Sequence, residues 1–259
     1  MHIHTIQGYI QTIYLAEYPD KLLLLDGASR ADITYLCQFI EQQLARPLSD
    51  LKVVVVTHMH PDHAGAAHRL RAITGCQIVS ADKKTHWYQG WSGGAMFLSD
   101  LLLALWVAGR MKKAGVNLWY DRYLKPDSVV NEGDQIPGFP DWTILETPGH
   151  TDRDLSLWHE PTRLLYVADL MVEVKQHLIS PFPIFYPNHY RRSVERVFKL
   201  NPETLLVAHG GSVTFDESAY QHLIATTPTT PSTHWRATKT KLRAVLKGLF
   251  AQVTMKRKQ

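Results

Sequence analysis

Four side chains able to bind a metal fall within six residues, His58-Met59-His60-Pro61-Asp62-His63, directly after the apolar run Leu51-Lys52-Val53-Val54-Val55-Val56. No other segment of the 259-residue chain narrows its fold as much. The run reads as a strand buried on both faces. The cluster then sits at the strand's C-terminal end, where α/β proteins place their sites. His58 and His60 are two residues apart, so in extended backbone they point the same way. Pro61 bends the chain and lets Asp62 and His63 aim at a second point nearby. Imidazole nitrogen and carboxylate oxygen suit zinc, iron or manganese. Without a metal, several imidazoles held together would repel on protonation, and each would need a polar partner.

Three further residues stand at the ends of short apolar strands. The segment 143–150 closes on His150 just past Pro148-Gly149, 164–169 closes on Asp169, and 205–211 carries His209 before Gly210-Gly211. Ligands delivered from several strand ends into one cleft form a preorganised site.

The motifs HMHPDH, TPGH, an aspartate closing an apolar strand, and AHGG occur in the order and spacing of the metallo-β-lactamase superfamily. The chain resembles that family over roughly residues 8–212. The early run Leu22-Leu23-Leu24-Leu25-Asp26-Gly27 resembles the family's strand ending in a structural aspartate. The resemblance implies an α/β fold, a four-layer αββα sandwich with the site along one edge between the sheets. It implies one metal held by His58, His60 and His150, another by Asp62, His63 and His209, and Asp169 bridging the two. The seven positions show no departure, so the set resembles the dinuclear hydrolases rather than the flavodiiron branch. Two divalent ions, zinc first, with iron or manganese as alternatives, would generate a bridging hydroxide from a shared water. Asp62 would orient it and carry its proton. The reaction needs no side-chain nucleophile.

Along the chain, strands are expected at 9–17, 21–25, 51–56, 77–80, 142–146, 155–159, 164–167 and 204–207, and helices at 31–44, 64–73 and 191–200. Residues 1–225 read as the family domain, within which 85–125 is a helical, aromatic-rich insertion near the site. It holds Trp87, Tyr88, Trp91, Met96, Phe97, Trp106, Met111, Trp119, Tyr120 and Tyr123, as a substrate wall, as core or as a subunit interface. The run 180–187 is a rigid apolar loop that would form an opposite wall. Residues 226–259 read as a linker and a basic C-terminal helix. Asp26 is either a partner of a ligand imidazole or the cap of the turn before Gly27. Of the remaining histidines, only His177 and His189, which flank the segment after Asp169, are weighed as substrate contacts.

The resemblance points to hydrolysis of a small acyl substrate, a thioester as in glyoxalase II-like enzymes or a lactone as in acyl-homoserine lactonases. Against the first, a full glutathione-binding helical domain is missing. Against the second, Met171, Val172 and Glu173 stand where a tyrosine is expected. The alternatives are a phosphodiesterase acting on nucleic acid and a mono-iron sulfur dioxygenase. Net charge is +4, with the excess in Lys239, Lys241, Arg243, Lys247, Lys256, Arg257 and Lys258. Such a tail can touch nucleic acid or anionic lipid, although a solvated helix is the simpler reading and nucleic acid is disfavoured by the lack of a recognisable module. Two cysteines give no disulfide framework, and no leader is evident, so a cytoplasmic chain is expected. The most apolar stretch, 95–108, is shorter than the ~20 residues that span a bilayer. This stretch and the terminal helix could each support a homodimer.

Overall fold

The computed structural model describes residues 1–256, with side chains through Lys247. Of the basic tail, the side chains of Lys256, Arg257 and Lys258 lie outside the described residues. The strands, in chain order, are β1 (His2–Gln7), β2 (Thr12–Glu17), β3 (Leu22–Leu24), β4 (Leu51–Val56), β5 (Gln77–Ala81), β6 (Ser128–Val130), β7 (Gln135–Ile136), β8 (Phe139–Glu146), β9 (Leu155–His159), β10 (Leu164–Tyr166), β11 (Val172–Val174), β12 (His177–Ile179), β13 (Thr204–Leu206) and β14 (Ser212–Val213). The helices are α1 (Ile33–Gln38), α2 (Pro61–Ala64), α3 (Ala67–Thr74), α4 (Gly90–Arg110), α5 (Pro187–Leu200), α6 (Glu217–Thr226) and α7 (His234–Lys256).

Two six-stranded sheets face each other, ordered β1-β2-β3-β4-β5-β6 and β14-β13-β10-β9-β8-β7, with β11-β12 as a separate hairpin. In the first sheet β3 to β6 run parallel. In the second, only β10 and β13 do. The period-2 alternation of strand side chains builds the layers. Val53 and Val55 of β4 point between the sheets, against Trp142, Ile144, Leu157 and Tyr166. Val54 and Val56 point outward into a core with Leu36, Leu70, Phe97 and Leu101 from α1, α3 and α4. On the far side, Leu165 and Val167 pack under Tyr190, Val194 and Val197 of α5 and Leu223 of α6. Helix, sheet, sheet and helix therefore stack in that order, which is the expected αββα sandwich. The LKVVVV run has no polar face because both of its faces are covered.

Boundaries moved where tertiary contacts decide them. The expected 31–44 helix divides into a 3-10 turn, α1 and a wider turn at 39–43. The apolar 95–108 stretch belongs to a 21-residue helix, α4, because residues 90–94 extend it at its N-terminus and Gly109 and Arg110 at its C-terminus. By length and composition α4 is thus long enough to cross a membrane, although 44% of its most apolar window is buried within the fold. It packs on the first sheet through Met96, Phe97, Leu101 and Ala104. Helix α7 lies along α4, with Ala237 in that same core and the Lys241 ammonium donating to the buried Asp100 carboxylate.

Candidate metal centre

All seven sequence-predicted residues converge on one edge of the sandwich. Ligand atoms of His58, His60, His150 and Asp169 lie within 4.8 Å of one another, and so do those of Asp62, His63 and His209. The motif turns directly out of β4: His60 keeps extended backbone at φ −67°, ψ 156°, and Pro61 starts α2. His58 and His60 therefore leave from the strand end, while Asp62 and His63 leave from the first turn of a helix and face a second point. The turn 148–151 carries His150. It is fastened by the Asp154 carboxylate, which accepts from the backbone N–H of Gly149 at 3.1 Å and of Thr151 at 2.7 Å. His209 follows β13, and Asp169 follows β10 through Ala168, which sits in the left-handed region at φ 46°.

Four of the five rings are oriented by their outer nitrogen. His63 Nδ1 donates to Asp26 at 2.6 Å, His150 Nδ1 to the Pro183 carbonyl at 2.6 Å, and His209 Nδ1 to the Ile10 carbonyl at 3.1 Å. Thr57 donates its hydroxyl to Asp26 at 2.8 Å, leaving its oxygen to accept from His58 Nδ1 at 3.1 Å. A ring whose Nδ1 carries the proton turns an Nε2 lone pair inward. His60 is reversed: its Nδ1 lies 3.0 Å from both His58 Nε2 and His150 Nε2. Such close approach of three ring nitrogens is near what ligands about 2.0–2.1 Å from one ion adopt. Asp169 faces both groups. Its Oδ2 is 3.9 Å from His58 Nε2 and 3.8 Å from His150 Nε2, and its Oδ1 is 3.3 Å from His63 Nε2 and 3.5 Å from His209 Nε2.

The polar accounting fits a cation. His63 Nε2 and Asp169 Oδ1 are buried without a hydrogen-bond partner. Orphaned inward atoms of this kind are costly unless something positive joins them. Burial, reinforced by neighbouring imidazoles, pushes His58 and His60 well below the ordinary histidine range. In the other group burial opposes the imidazolium, yet the surrounding carboxylates prevail. They raise His63 strongly and push His209 up to about 9. Burial would raise Asp62 and Asp169, but His63 and His209 hold both well below the usual carboxylate range.

A cavity of about 290 Å³ opens over the centre. Its walls include Leu103, Ala104 and Val107 of α4, with Pro181 and Phe182 opposite. The 180–187 loop thus forms a wall, as expected. The wall on the other side is made by the small aliphatic face of α4, and none of the ten aromatic and methionine residues singled out in 85–125 lines it. Trp87, Tyr88, Met96, Phe97 and Tyr120 are instead buried in the core. His177 and His189 are exposed and stand away from the cavity. Glu173, Asp100 and Lys241 line it, and the sequence reading had assigned none of them to the site. The signal for Asp100 was present, a lone acid in an apolar helix. Lys241 has no local signal, since it reaches the site only by the packing of α7. Other contacts were equally hidden: Gln11 Nε2 donates to the Asp62 carbonyl at 3.1 Å, and the Tyr120 hydroxyl donates to the Met59 carbonyl.

Comparison with known proteins agrees with this geometry. The family model described as the metallo-beta-lactamase superfamily matches residues 6–209. A probable metallo-hydrolase of Bacillus subtilis is 25% identical over an alignment of 225 positions that covers 78% of this chain and 67% of the relative. A hydroxyacylglutathione hydrolase of Bdellovibrio bacteriovorus is 25% identical over 158 residues, 61% of this chain, and the match spans only 48% of that enzyme. A metallo-beta-lactamase family protein of Thermus thermophilus shares the fold with a TM-score of 0.62 at 17% identity, covering 85% of this chain and 76% of that one. With the four layers, the convergent histidines and the matched span in agreement, the chain belongs to the metallo-β-lactamase superfamily and is a metal-dependent hydrolase.

Proposed function

We propose that His58, His60 and His150 hold one divalent ion, that Asp62, His63 and His209 hold a second, and that Asp169 is shared between them to hydrolyse a small acyl substrate, a thioester or a lactone. The observation that carries this is the split of the Asp169 carboxylate, Oδ2 toward the first group and Oδ1 toward the second. Bound there, two such ions would lower the pKa of a water toward ~7 and withdraw charge from a carbonyl oxygen.

The chain's own residues supply the rest. Asp62 stands with Oδ2 3.1 Å from His209 Nε2 and can orient the attacking water and carry its proton to the leaving group. Leu103, Ala104, Val107 and Phe182 give the acyl portion an apolar bed and keep bulk water away. The cation among the cavity's lining residues other than histidine, Lys241, is committed to Asp100. A phosphodiester backbone would want more positive charge than this. The partial match to hydroxyacylglutathione hydrolases supports a thioester as the first substrate class to try.

The test is elemental analysis of protein purified without added metal, followed by thioester, lactone and phosphodiester panels. Near two equivalents of zinc, manganese or iron per chain, with turnover of an acyl substrate, is expected. A single iron with oxidation of a persulfide would replace the proposal by the sulfur dioxygenase reading, and no bound metal after reconstitution would end it.

A further inference from the structure

The outer face of α4 and α7 carries apolar side chains where a solvated helix pair would carry polar ones. Trp91 is 95% exposed and Trp235 62%. Leu98 and Leu102 follow on α4 four residues apart, and Leu242 and Leu246 do the same on α7. Trp91 and Leu98, and Trp235 and Leu242, are each seven residues apart, so each set forms a stripe along one helix face. The stripes are neighbours, because Trp91, Leu98, Trp119 and Trp235 line one open groove of about 1050 Å³.

The charge around this face has one sign. Arg110, Arg236, Lys239, Arg243 and Lys247 are all exposed. The sole carboxylate within α4 and α7 is the buried Asp100, and Asp121 at the groove faces Lys125 at 3.7 Å. Across the sequence the asymmetry is sharper. The 42 residues after Glu217 hold eight Lys and Arg and no Asp or Glu, while the first 217 hold 20 against 24.

We infer that the α4–α7 face docks the protein on an anionic phospholipid surface, lying in the interfacial plane. Tryptophan and leucine would enter the headgroup boundary, and the flanking cations would meet lipid phosphates. The two helices remain folded onto the body, since the Asp100–Lys241 pair and the Phe97 and Leu101 packing would have to be torn out for α4 to cross a bilayer. A second copy fits this face less well. A two-fold contact would set Arg236, Lys239 and Arg243 against the same unpaired cations of the partner. A nucleic acid would use the cations but leave the leucine stripes in water. The cavity over the metal centre is walled by the same two helices, through Leu103, Val107 and Lys241, so a docked molecule would hold that opening beside the membrane.

The full chain is tested by sedimentation with vesicles of phosphatidylcholine alone and with about one third phosphatidylglycerol. Partitioning at least roughly tenfold stronger to the anionic vesicles, weakened by salt, is expected. Tryptophan emission should shift blue and be quenched by brominated acyl chains. Trp91→Ser with Trp235→Ser should remove most of the quenching, leaving that of Trp119, and Arg236→Glu with Lys239→Glu and Arg243→Glu should remove the anionic preference. Both variants change exposed positions, and circular dichroism confirms their folding. Equal, negligible binding to both vesicle types overturns the inference. So does a concentration-dependent dimer that Trp235→Ser dissociates, or RNA that binds in preference to the anionic vesicles.

Discussion

Asp26 Oδ2 accepts from His63 Nδ1 at 2.6 Å, and the same oxygen accepts the hydroxyls of Thr57 and Tyr166 at 2.8 Å each. Since Thr57 in turn holds His58, one carboxylate braces a ring of each group. It also caps the turn through Gly27 N–H at 2.9 Å, so the same side chain both holds an imidazole and closes the turn. Replacing Asp26 by Asn keeps the shape but leaves an amide to serve three donors. Metal affinity should fall roughly 10–100-fold. Competition with a chromophoric chelator measures this, and unchanged affinity would show that His63 orients itself.

Loading of the two groups should depend on pH differently. In the metal-free protein at neutral pH His209, raised to about 9, and His63, raised strongly, are protonated, whereas His58 and His60 are neutral. An ion entering beside His63 and His209 must expel protons. Its affinity should therefore climb as pH rises toward about 9, while the His58 group fills at lower pH. For metal-free folding the sign is reversed. The raised His209 contributes stability present below the unfolded value near 6.5 and lost as pH rises through about 9. Calorimetric metal titrations in buffers of different ionisation enthalpy count the protons. Equal release from both sites would contradict the assignment.

Gly149 is fixed by contact. A Cβ there would sit 2.5 Å from the Tyr190 Cα and 2.8 Å from its nitrogen, both backbone atoms of α5 that cannot turn aside. Gly149→Ala should cost about 1–3 kcal/mol in urea unfolding. It should also lower bound metal, because the turn carries His150. Gly133→Ala, at φ 82° with nothing within 4 Å, is the comparison for backbone strain without collision. If both variants lose the same metal, the collision is not the cause.

The Lys241–Asp100 pair is almost fully buried, and Tyr88 also donates to Asp100 at 2.8 Å. Removing one charge leaves the other stranded. Lys241→Met alone should destabilise by about 3–5 kcal/mol. Adding Asp100→Asn, which retains an acceptor for Tyr88, should recover most of that loss. Denaturant midpoints of the two single variants and the double variant decide it, and additive losses would mean the charges do not depend on each other.

The legible part of the molecule was the part written locally. The LKVVVV strand, the HMHPDH turn and the apolar strands ending in Asp169 and His209 each carry their signal within a few residues. Strand alternation and the bend at Pro61 follow from backbone sterics, so the seven candidate residues could be named in advance, while the four-layer sandwich and their division between two metals came from the family resemblance. Helix limits were less legible: Gly90 and Gly93 weaken the propensity signal, yet α4 begins there. Gly93 sits with its Cα side against the Tyr88 backbone, where a Cβ would come within 2.3 Å.

What the sequence determined by itself was which side chains could meet a metal, since strand ends in an α/β sandwich place their residues at a common edge. What only the tertiary structure decided was how those side chains are held and what surrounds them. Asp26 and Tyr166, 140 residues apart, meet on one oxygen, and Lys241 reaches Asp100 across 141 residues. Such pairings have no period or local spacing. They arise because buried polar groups must find partners and because α7 covers α4, and both conditions exist only once the layers have packed.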